Sequence, residues 1–191
     1  MESPQKAVEG YLILVVGNSG SGKDTIIKEV ILRTQALKLI APKRYITRTP
    51  SVDEDNIFLT EDAYQKKSIH HEFAIQWEIY GLKYGVSIEL DDWLKNGYSV
   101  IINVSRNVVE QTKQKYSKCR VVFVEVPFEI ILKRILKRGR EEKAALEARI
   151  ERAKQNQKYP KADFVVDNSG KLENAVTQFI KYLNTLEINK N

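Results

Sequence analysis

The chain has 191 residues, of which 42% are hydrophobic and 29% are charged, and its formal net charge is +6. This length fits a single domain that buries about 70% of the surface that the unfolded chain would expose. Basic and acidic residues are interleaved instead of forming a basic stripe, so no nucleic-acid partner is expected, and the longest apolar run, 11–16, is too short to cross a membrane.

In chain order, a short polar N-terminus comes first, and short apolar runs then alternate with helical patterns. The N-terminus has no apolar stretch after a basic start, so no secretory signal is predicted and a cytoplasmic location is expected. Strands are predicted at 11–16, 98–104, 120–126 and 163–167, and helices at 22–34, 106–116, 128–138 and 171–186. This alternation predicts an α/β fold in three layers, with helices on both faces of a parallel sheet.

Two segments interrupt the alternation. Short strand-like pieces at 56–59, 73–79 and 83–87, with a polar helix near 61–68, predict a small subdomain inserted at about 42–90. The segment 137–158 is highly charged, and its apolar content predicts no core helix. Inserts of this kind in phosphotransfer enzymes are usually moving parts, so we expect an acceptor-binding arm and a lid around a core formed by about 10–41, 91–136 and 159–187.

The chain has one cysteine, Cys119. A single cysteine excludes a disulfide within the chain and a zinc site built from cysteines. Because Cys119 lies beside the apolar run 121–126, we expect a buried and unreactive thiol.

The segment that follows the first strand has the spacing of a phosphate-binding loop, Gly-x-x-x-x-Gly-Lys. Glycines permit the backbone angles that turn successive N–H groups towards a phosphate, and the start of the next helix adds partial positive charge. Lys23 would reach the β- and γ-phosphates of ATP. The predicted ATP-binding residues are Gly17, Asn18, Ser19, Gly20, Ser21, Gly22, Lys23, Asp24 and Thr25.

The residue after the lysine is Asp24, where a hydroxyl that ligates Mg²⁺ is expected. A carboxylate that faced phosphate oxygens would be repelled, so Asp24 must face the Mg²⁺ shell or turn outward. Either Thr25 supplies the hydroxyl, or water and phosphate hold most of the Mg²⁺ shell. Asp24 and Thr25 are thus the candidate metal residues, and Mg²⁺ with ATP is the expected cofactor set.

Over roughly residues 11–186 the chain resembles the guanylate-kinase-like group of P-loop kinases. The resemblance rests on three stretches: Thr47-Arg48-Thr49-Pro50, Tyr84-Gly85, and Arg138-Gly139-Arg140 with Arg149. It implies that Arg48 and Tyr84 bind the acceptor phosphate. It also implies that Arg138, Arg140 and Arg149 close over the transferring group and act with Lys23 as catalytic residues.

The guanine-reading positions depart from that group. A glutamate, a hydroxyl and an aspartate are expected there, and the chain has Ile75, Val86 and Ser105, while a second phosphate-binding arginine is replaced by Ser51. Guanine N–H groups facing Ile75 and Val86 would lose their hydrogen bonds, at a cost of about 1–3 kcal/mol each. Guanylate kinase activity is therefore the alternative, not the first hypothesis.

A narrower family, the ribose 1,5-bisphosphate phosphokinases, accounts for these departures. The chain resembles it in four stretches: Gly20–Asp24, Arg44–Arg48, Gly81–Val86 and Asn103–Arg106. The resemblance implies that Asp24 is expected after the lysine. It also implies that Arg44 contacts the substrate, or else Arg44 is a solvated loop residue. Arg106, at the end of a strand, suits a second phosphate, or else it is a surface arginine at a helix start. Glu54 would bind ribose hydroxyls, or else it is a solvated carboxylate.

The resemblance implies transfer of the γ-phosphoryl group of ATP to the C1 phosphate of ribose 1,5-bisphosphate, giving 5-phosphoribosyl 1-pyrophosphate and ADP. The alternatives are a guanylate kinase and a non-catalytic guanylate-kinase-like interaction module. The expected partners are ATP and a small phosphorylated sugar, without nucleic acid or membrane, and a homodimer is compatible with this expectation. His70 and His71 are expected on the surface or at a hinge.

Overall fold

A computed structural model describes residues 9–49, 55–138 and 143–188. Within these residues, the strands are β1 (Leu12–Gly17), β2 (Leu39–Ile40), β3 (Tyr45–Ile46), β4 (Ile57–Phe58), β5 (Phe73–Ile79), β6 (Leu82–Ser87), β7 (Ser99–Asn103), β8 (Cys119–Glu125) and β9 (Phe164–Asp167). The α-helices are α1 (Lys23–Arg33), α2 (Glu61–Ile69), α3 (Glu89–Lys95), α4 (Val109–Lys115), α5 (Phe128–Arg138), α6 (Lys143–Gln155) and α7 (Leu172–Leu183). A short 3₁₀ turn, Arg106–Val108, precedes α4.

The main sheet has five parallel strands in the order β2-β7-β1-β8-β9. Strands β1 and β8 are rich in valine and other apolar residues, as expected of strands covered on both faces. The predicted parallel sheet is confirmed, and each predicted strand agrees with an observed one to within a residue at either end. Because the strands are parallel, all their carboxyl ends lie at one edge of the sheet.

Helices cover both faces of this sheet, as predicted. On one face, Ile13 and Val15 of β1 pack in a buried cluster with residues from α1, α5 and α7. On the other face, Leu12 and Leu14 pack with residues from α3 and α4. The alternation along β1 places successive side chains in different layers, so one strand anchors both halves of the core.

A second, smaller sheet has the order β4-β3-β6-β5 and is formed from residues 45–87. The β5–β6 hairpin is antiparallel, and Trp77 stacks on Tyr84 with ring centroids 5.1 Å apart. Ile75, Trp77 and Val86 join the buried cluster beneath the main sheet. The small sheet is therefore continuous with the core on that side.

Helix α6 corrects the prediction that segment 137–158 contains no core helix. Ala153 is buried, and Leu146 and Ile150 pack against the buried cluster on the α1 side of the sheet. These three residues are spaced by four and three, so they form one narrow apolar stripe on an otherwise charged helix. A stripe this narrow is a weak sequence signal for a helix that packs on the core. It is enough for packing here because the sheet and its helices already provide a larger apolar surface.

Helix α3 and strands β2 and β3 were not predicted. Strands β2 and β3 have two residues each, so they have too little sequence to show an alternating pattern. In the part of the chain that the structure describes, no helix is long and apolar enough to span a bilayer.

The structure explains why Cys119 is expected to be unreactive. The thiol is buried, and burial raises its pKa to about 12. An ordinary thiol has a pKa of about 8.5, so near neutral pH the reactive thiolate form of Cys119 is much rarer than that of an exposed cysteine. We expect Ellman's reagent to label the folded protein far more slowly than the protein unfolded in guanidinium at the same pH. Labelling at equal rates in the two states would contradict the buried position.

Candidate active site

The glycine loop, residues 17–22, connects the carboxyl end of β1 to the start of α1. Gly22 adopts the left-handed conformation, with φ of 87°, directly before the first helical residue, Lys23. A Cβ atom at Gly22 would lie 2.6 Å from the side-chain nitrogen of Asn168, so glycine is required both by backbone angle and by space. The loop thus sits at the N-terminus of an 11-residue helix, where backbone N–H groups and the helix dipole favour an anion.

Three distant parts of the chain form hydrogen bonds with the glycine loop. Asn168, directly after β9, donates from Nδ2 to the carbonyl oxygen of Ser21 at 2.7 Å. Arg134 of α5 donates to the carbonyl oxygen of Gly20 at 3.2 Å, and Asn18 donates to the carbonyl oxygen of Ala153 in α6 at 3.0 Å. The loop conformation is therefore fixed by tertiary contacts. Sequence analysis assigned no role to Asn168 or Arg134; the available signal for Asn168 was its place after a parallel strand.

Lys23 lies over the loop. Its ammonium group donates to the carbonyl oxygens of Gly17 and Asn18, both at 2.9 Å. An ammonium group held at the mouth of a loop of inward N–H groups adds a full positive charge to the anion site. The predicted ATP-binding residues 17–25 thus lie together, in the glycine loop and in the first turn of α1.

Asp24 faces the end of strand β7. Its Oδ1 accepts a hydrogen bond from Nδ2 of Asn103 at 2.8 Å and lies 3.5 Å from Nη2 of Arg44. Arg44 in turn donates from Nη1 to the carbonyl oxygen of Asn103 at 3.0 Å. The three side chains form a network that joins the start of α1 to the carboxyl end of β7 and to the residue before β3. Asn103 lies in the stretch Asn103–Arg106, but no role was predicted for it from the sequence.

The residues beside the glycine loop fit a hard divalent cation. The Asp24 side chain is about half exposed, and a carboxylate has two oxygens that together accept about four hydrogen bonds or metal-bound waters. Thr25 is exposed in the first turn of α1. Among the described residues, no group of three or more His, Cys, Asp or Glu side chains could hold a metal by itself. A magnesium ion here would therefore need phosphate oxygens and water besides Asp24.

The lid prediction involves three arginines, of which Arg149 is described in full. Its Nη2 lies 2.6 Å from the hydroxyl oxygen of Ser19 in the glycine loop, so α6 brings a guanidinium to the phosphate-binding turn. Arg138 ends α5, and its side chain lies outside the described part of the chain, as does Arg140.

The predicted acceptor residues lie around the small sheet. Arg48 is exposed shortly after β3, and Tyr84 lies in β6, where its backbone oxygen accepts a hydrogen bond from the hydroxyl of Tyr64 at 2.9 Å. Arg44 directly precedes β3 and joins this sheet to the glycine loop through Asp24. Glu54, together with Pro50 and Ser51, lies outside the described residues.

Ile75 and Val86, at positions where a guanylate kinase would read guanine, are paired across β5 and β6. Ile75 is 5% exposed and Val86 is fully buried. Both side chains belong to the core cluster, so they offer neither hydrogen-bonding groups nor an accessible surface to a purine base.

Arg106 is engaged with the segment that follows α6. Its Nη2 donates to the carbonyl oxygen of Asn156 at 2.8 Å, and its Nη1 donates to Oδ1 of Asn156 at 3.0 Å and to the carbonyl oxygen of Lys158 at 3.4 Å. Burial lowers the pKa of Arg106, although a guanidinium remains charged. The prediction that Arg106 binds a second phosphate would require these bonds to be exchanged for bonds to substrate.

Comparisons with known proteins identify the fold and the family. The guanylate kinase family model matches residues 9–186. The crystal structure of a guanylate kinase from Anaplasma phagocytophilum superposes with a TM-score of 0.69 at 18% identity, covering 94% of this chain and 87% of that one. At this identity the likeness shows the fold alone: a P-loop kinase fold with a five-stranded parallel sheet.

Sequence relatives are more specific. The ribose 1,5-bisphosphate phosphokinase PhnN of Dickeya zeae is 34% identical over 88% of this chain and 90% of its own. The proteins of that name from Achromobacter xylosoxidans and Desulfomicrobium baculatum are 40% and 37% identical, each over 75% of this chain and over 76% and 78% of their own. The chain is therefore an ATP-dependent phosphotransferase of the ribose 1,5-bisphosphate phosphokinase family, within the guanylate-kinase-like P-loop kinases.

Proposed function

We propose that this protein transfers the γ-phosphoryl group of ATP to the C1 phosphate of ribose 1,5-bisphosphate, giving 5-phosphoribosyl 1-pyrophosphate and ADP. The names of its relatives support the acceptor. The structural observation that carries the proposal is the buried pair Ile75 and Val86, which replaces polar groups that a guanine base would need. A sugar bisphosphate does not need polar groups at these two positions, because it is recognised mainly through the charges of its phosphates.

The donor half of the site is the glycine loop with the first turn of α1. Residues Gly17–Thr25 bind the triphosphate of ATP, with backbone N–H groups and Lys23 as the donors. Asp24 and Thr25 are the residues that would hold Mg²⁺ beside the triphosphate. When bound, the ion supplies charge neutralisation to the phosphate oxygens.

The acceptor half is the small sheet with the loop before it, which acts as the acceptor-binding arm. Arg44 and Arg48 supply positive charge, Tyr84 supplies a hydroxyl, and Glu54 is the candidate for the ribose hydroxyls. Arg44 is well placed for this role because it contacts Asp24 at 3.5 Å, so it lies between donor and acceptor.

The chemistry needs little beyond position and charge. A phosphate monoester has a second pKa near 6, so the C1 phosphate is already a dianion at neutral pH and needs no general base. One of its oxygens forms a bond to the γ-phosphorus while the bond from that phosphorus to the β-phosphate oxygen breaks. Lys23, Arg138, Arg140 and Arg149 offset the negative charge of these groups, and α6 acts as the lid that carries Arg149.

The acceptor is tested by competition. With ATP as donor, we expect ribose 1,5-bisphosphate to be phosphorylated and guanosine monophosphate to be a poor acceptor, because Ile75 and Val86 are buried and supply no polar group for the base. Release of ADP and the mass of the product are the measurements. Guanosine diphosphate as the main product would overturn the proposal in favour of a guanylate kinase.

A second prediction concerns Asn168. Replacing it with alanine removes the bond to the carbonyl oxygen of Ser21, so we expect about 1–3 kcal/mol lower stability and a clearly weaker affinity for ATP. Thermal unfolding and calorimetric titration with an unreactive ATP analogue measure the two effects. Asn174→Ala, the same change at an exposed position of α7, is the control and should alter neither.

A third prediction concerns Arg149. Arginines that act on a transferring phosphoryl group are worth about 10³–10⁵ in rate, so Arg149→Ala should lower kcat by a factor of this order and change ATP affinity much less. The exposed residue Lys154 lies on the same helix, and Lys154→Ala serves as the control with near-normal turnover. Equal turnover in the two variants would remove Arg149 from the catalytic residues.

A further inference from the structure

Arg106 lies at an edge of the main sheet where ligands usually bind in α/β folds. It begins the 3₁₀ turn after β7, three residues past Asn103, at the carboxyl edge of the parallel sheet. Asn103 at this edge contacts Asp24 and Arg44, which belong to the donor and acceptor halves of the site. A cation here would ordinarily be assigned to substrate phosphate.

The guanidinium of Arg106, however, already has protein partners: its N–H groups form hydrogen bonds, and its plane lies against aromatic rings. Its edge donates to both oxygens of Asn156, the backbone carbonyl at 2.8 Å and the side-chain Oδ1 at 3.0 Å. Its carbon centre lies 5.1 Å from the ring centroid of Phe123 and 5.5 Å from that of Tyr159. Bonds from a charged donor are the stronger class, and stacking on rings holds the plane of the group.

Asn156 is the residue that caps helix α6. It follows Gln155 directly, and both its backbone N–H and its Nδ2 donate to the carbonyl oxygen of Arg152, at 3.1 Å and 2.8 Å. By binding Asn156, Arg106 therefore attaches the end of α6 to the end of β7. The helix cap and the sheet become one connected unit at this point.

The same helix contacts the glycine loop one to two turns earlier. The carbonyl oxygen of Ala153 accepts from Asn18, and Arg149 lies 2.6 Å from the hydroxyl of Ser19. Between these, Arg152 lies 3.9 Å from the ring centroid of Tyr80, in the β5–β6 hairpin. The position of the α6 C-terminus thus determines where Arg149 meets the loop.

We propose that Arg106 is a positioning residue: through Asn156 it seats the C-terminus of α6 and thereby aligns Arg149 with the glycine loop, instead of binding the second phosphate of the acceptor. This rests on the proposed function only in the role given to Arg149. An arginine suits the task because its planar fork reaches both oxygens of Asn156 while its face stacks on Phe123 and Tyr159.

The test compares Arg106→Gln, Asn156→Ala and the double variant. A displacement of about 1 Å in a catalytic group can cost on the order of a hundredfold in rate, so each single variant should lose up to that factor in kcat. The KM for ribose 1,5-bisphosphate should change less than about threefold in both, because neither residue touches the acceptor. The kcat of the double variant should be no lower than that of the less active single variant, since both changes break the same attachment.

Three further measurements separate positioning from phosphate binding and from loss of folding. Hydrogen exchange of the α6 amides, measured without acceptor, should accelerate in both single variants, and this result does not depend on which acceptor is correct. Arg106→Lys keeps the charge but loses the fork, so it should remain impaired in kcat. Arg120→Gln is the control: Arg120 also lies against an aromatic ring, that of Tyr11, but at the start of β8 on the opposite edge of the sheet.

Two outcomes would overturn the proposal. A tenfold or larger rise in acceptor KM in Arg106→Gln, with Asn156→Ala kinetically normal, would assign Arg106 to substrate phosphate. Effects on kcat that multiply in the double variant, with unchanged exchange in α6, would show that the two residues act independently. Thermal unfolding of each variant identifies any loss of folded protein before kinetics are compared.

Discussion

The parallel pairing of β7, β1 and β8 is the constraint on which the rest of the site depends. Val15 pairs with Asn103 and Gly17 pairs with Val124, so these strands end side by side. Parallel strands present their carboxyl ends at one edge, and the loops that leave this edge must lie next to one another. For this reason the glycine loop, Asp24 and the network of Asn103 and Arg44 form one site, although they are far apart in the sequence.

Helix α6 illustrates how an element can be both ordered and separable. Its apolar contacts come from a narrow stripe, whereas its polar contacts go to Asn18 and Ser19 in the loop and to Arg106 at the sheet edge. Detaching such a helix would expose little buried apolar surface. The free-energy cost of detachment is therefore smaller than it would be for α1 or α7. Polar contacts hold the helix at defined points, which is the property that the proposed lid requires.

The proposed acceptor specificity rests on which residues are buried beneath the small sheet. A guanine base is recognised by paired hydrogen bonds, and the positions that would supply them here hold the core residues Ile75 and Val86. The guanidinium groups of Arg44 and Arg48 remain near the small sheet, where they favour anionic groups of any carrier. One scaffold can therefore serve different acceptors when a few polar residues at the base site are replaced by aliphatic ones.

Local sequence determined the long elements and the glycine loop. Two local patterns predict structure without knowledge of distant partners: the apolar runs of β1 and β8, and the spacing from Gly17 to Lys23. They do so because they depend on side-chain periodicity and on backbone freedom. The strands β1, β7, β8 and β9, the helices on both faces of the sheet and the family were predicted from such patterns and from motifs, and they were confirmed.

Tertiary structure decided the features that depend on distant partners. Strands β2 and β3 exist because neighbours pair with them, and α6 packs because the sheet and its helices offer an apolar surface to a narrow stripe. Asn168 matters because the chain brings it to Ser21, 147 residues away, and Arg106 binds Asn156 across 50 residues. A single amide or guanidinium has no pattern that reveals its partner, so sequence alone could identify the phosphate-binding loop but not the side chains that hold it in place.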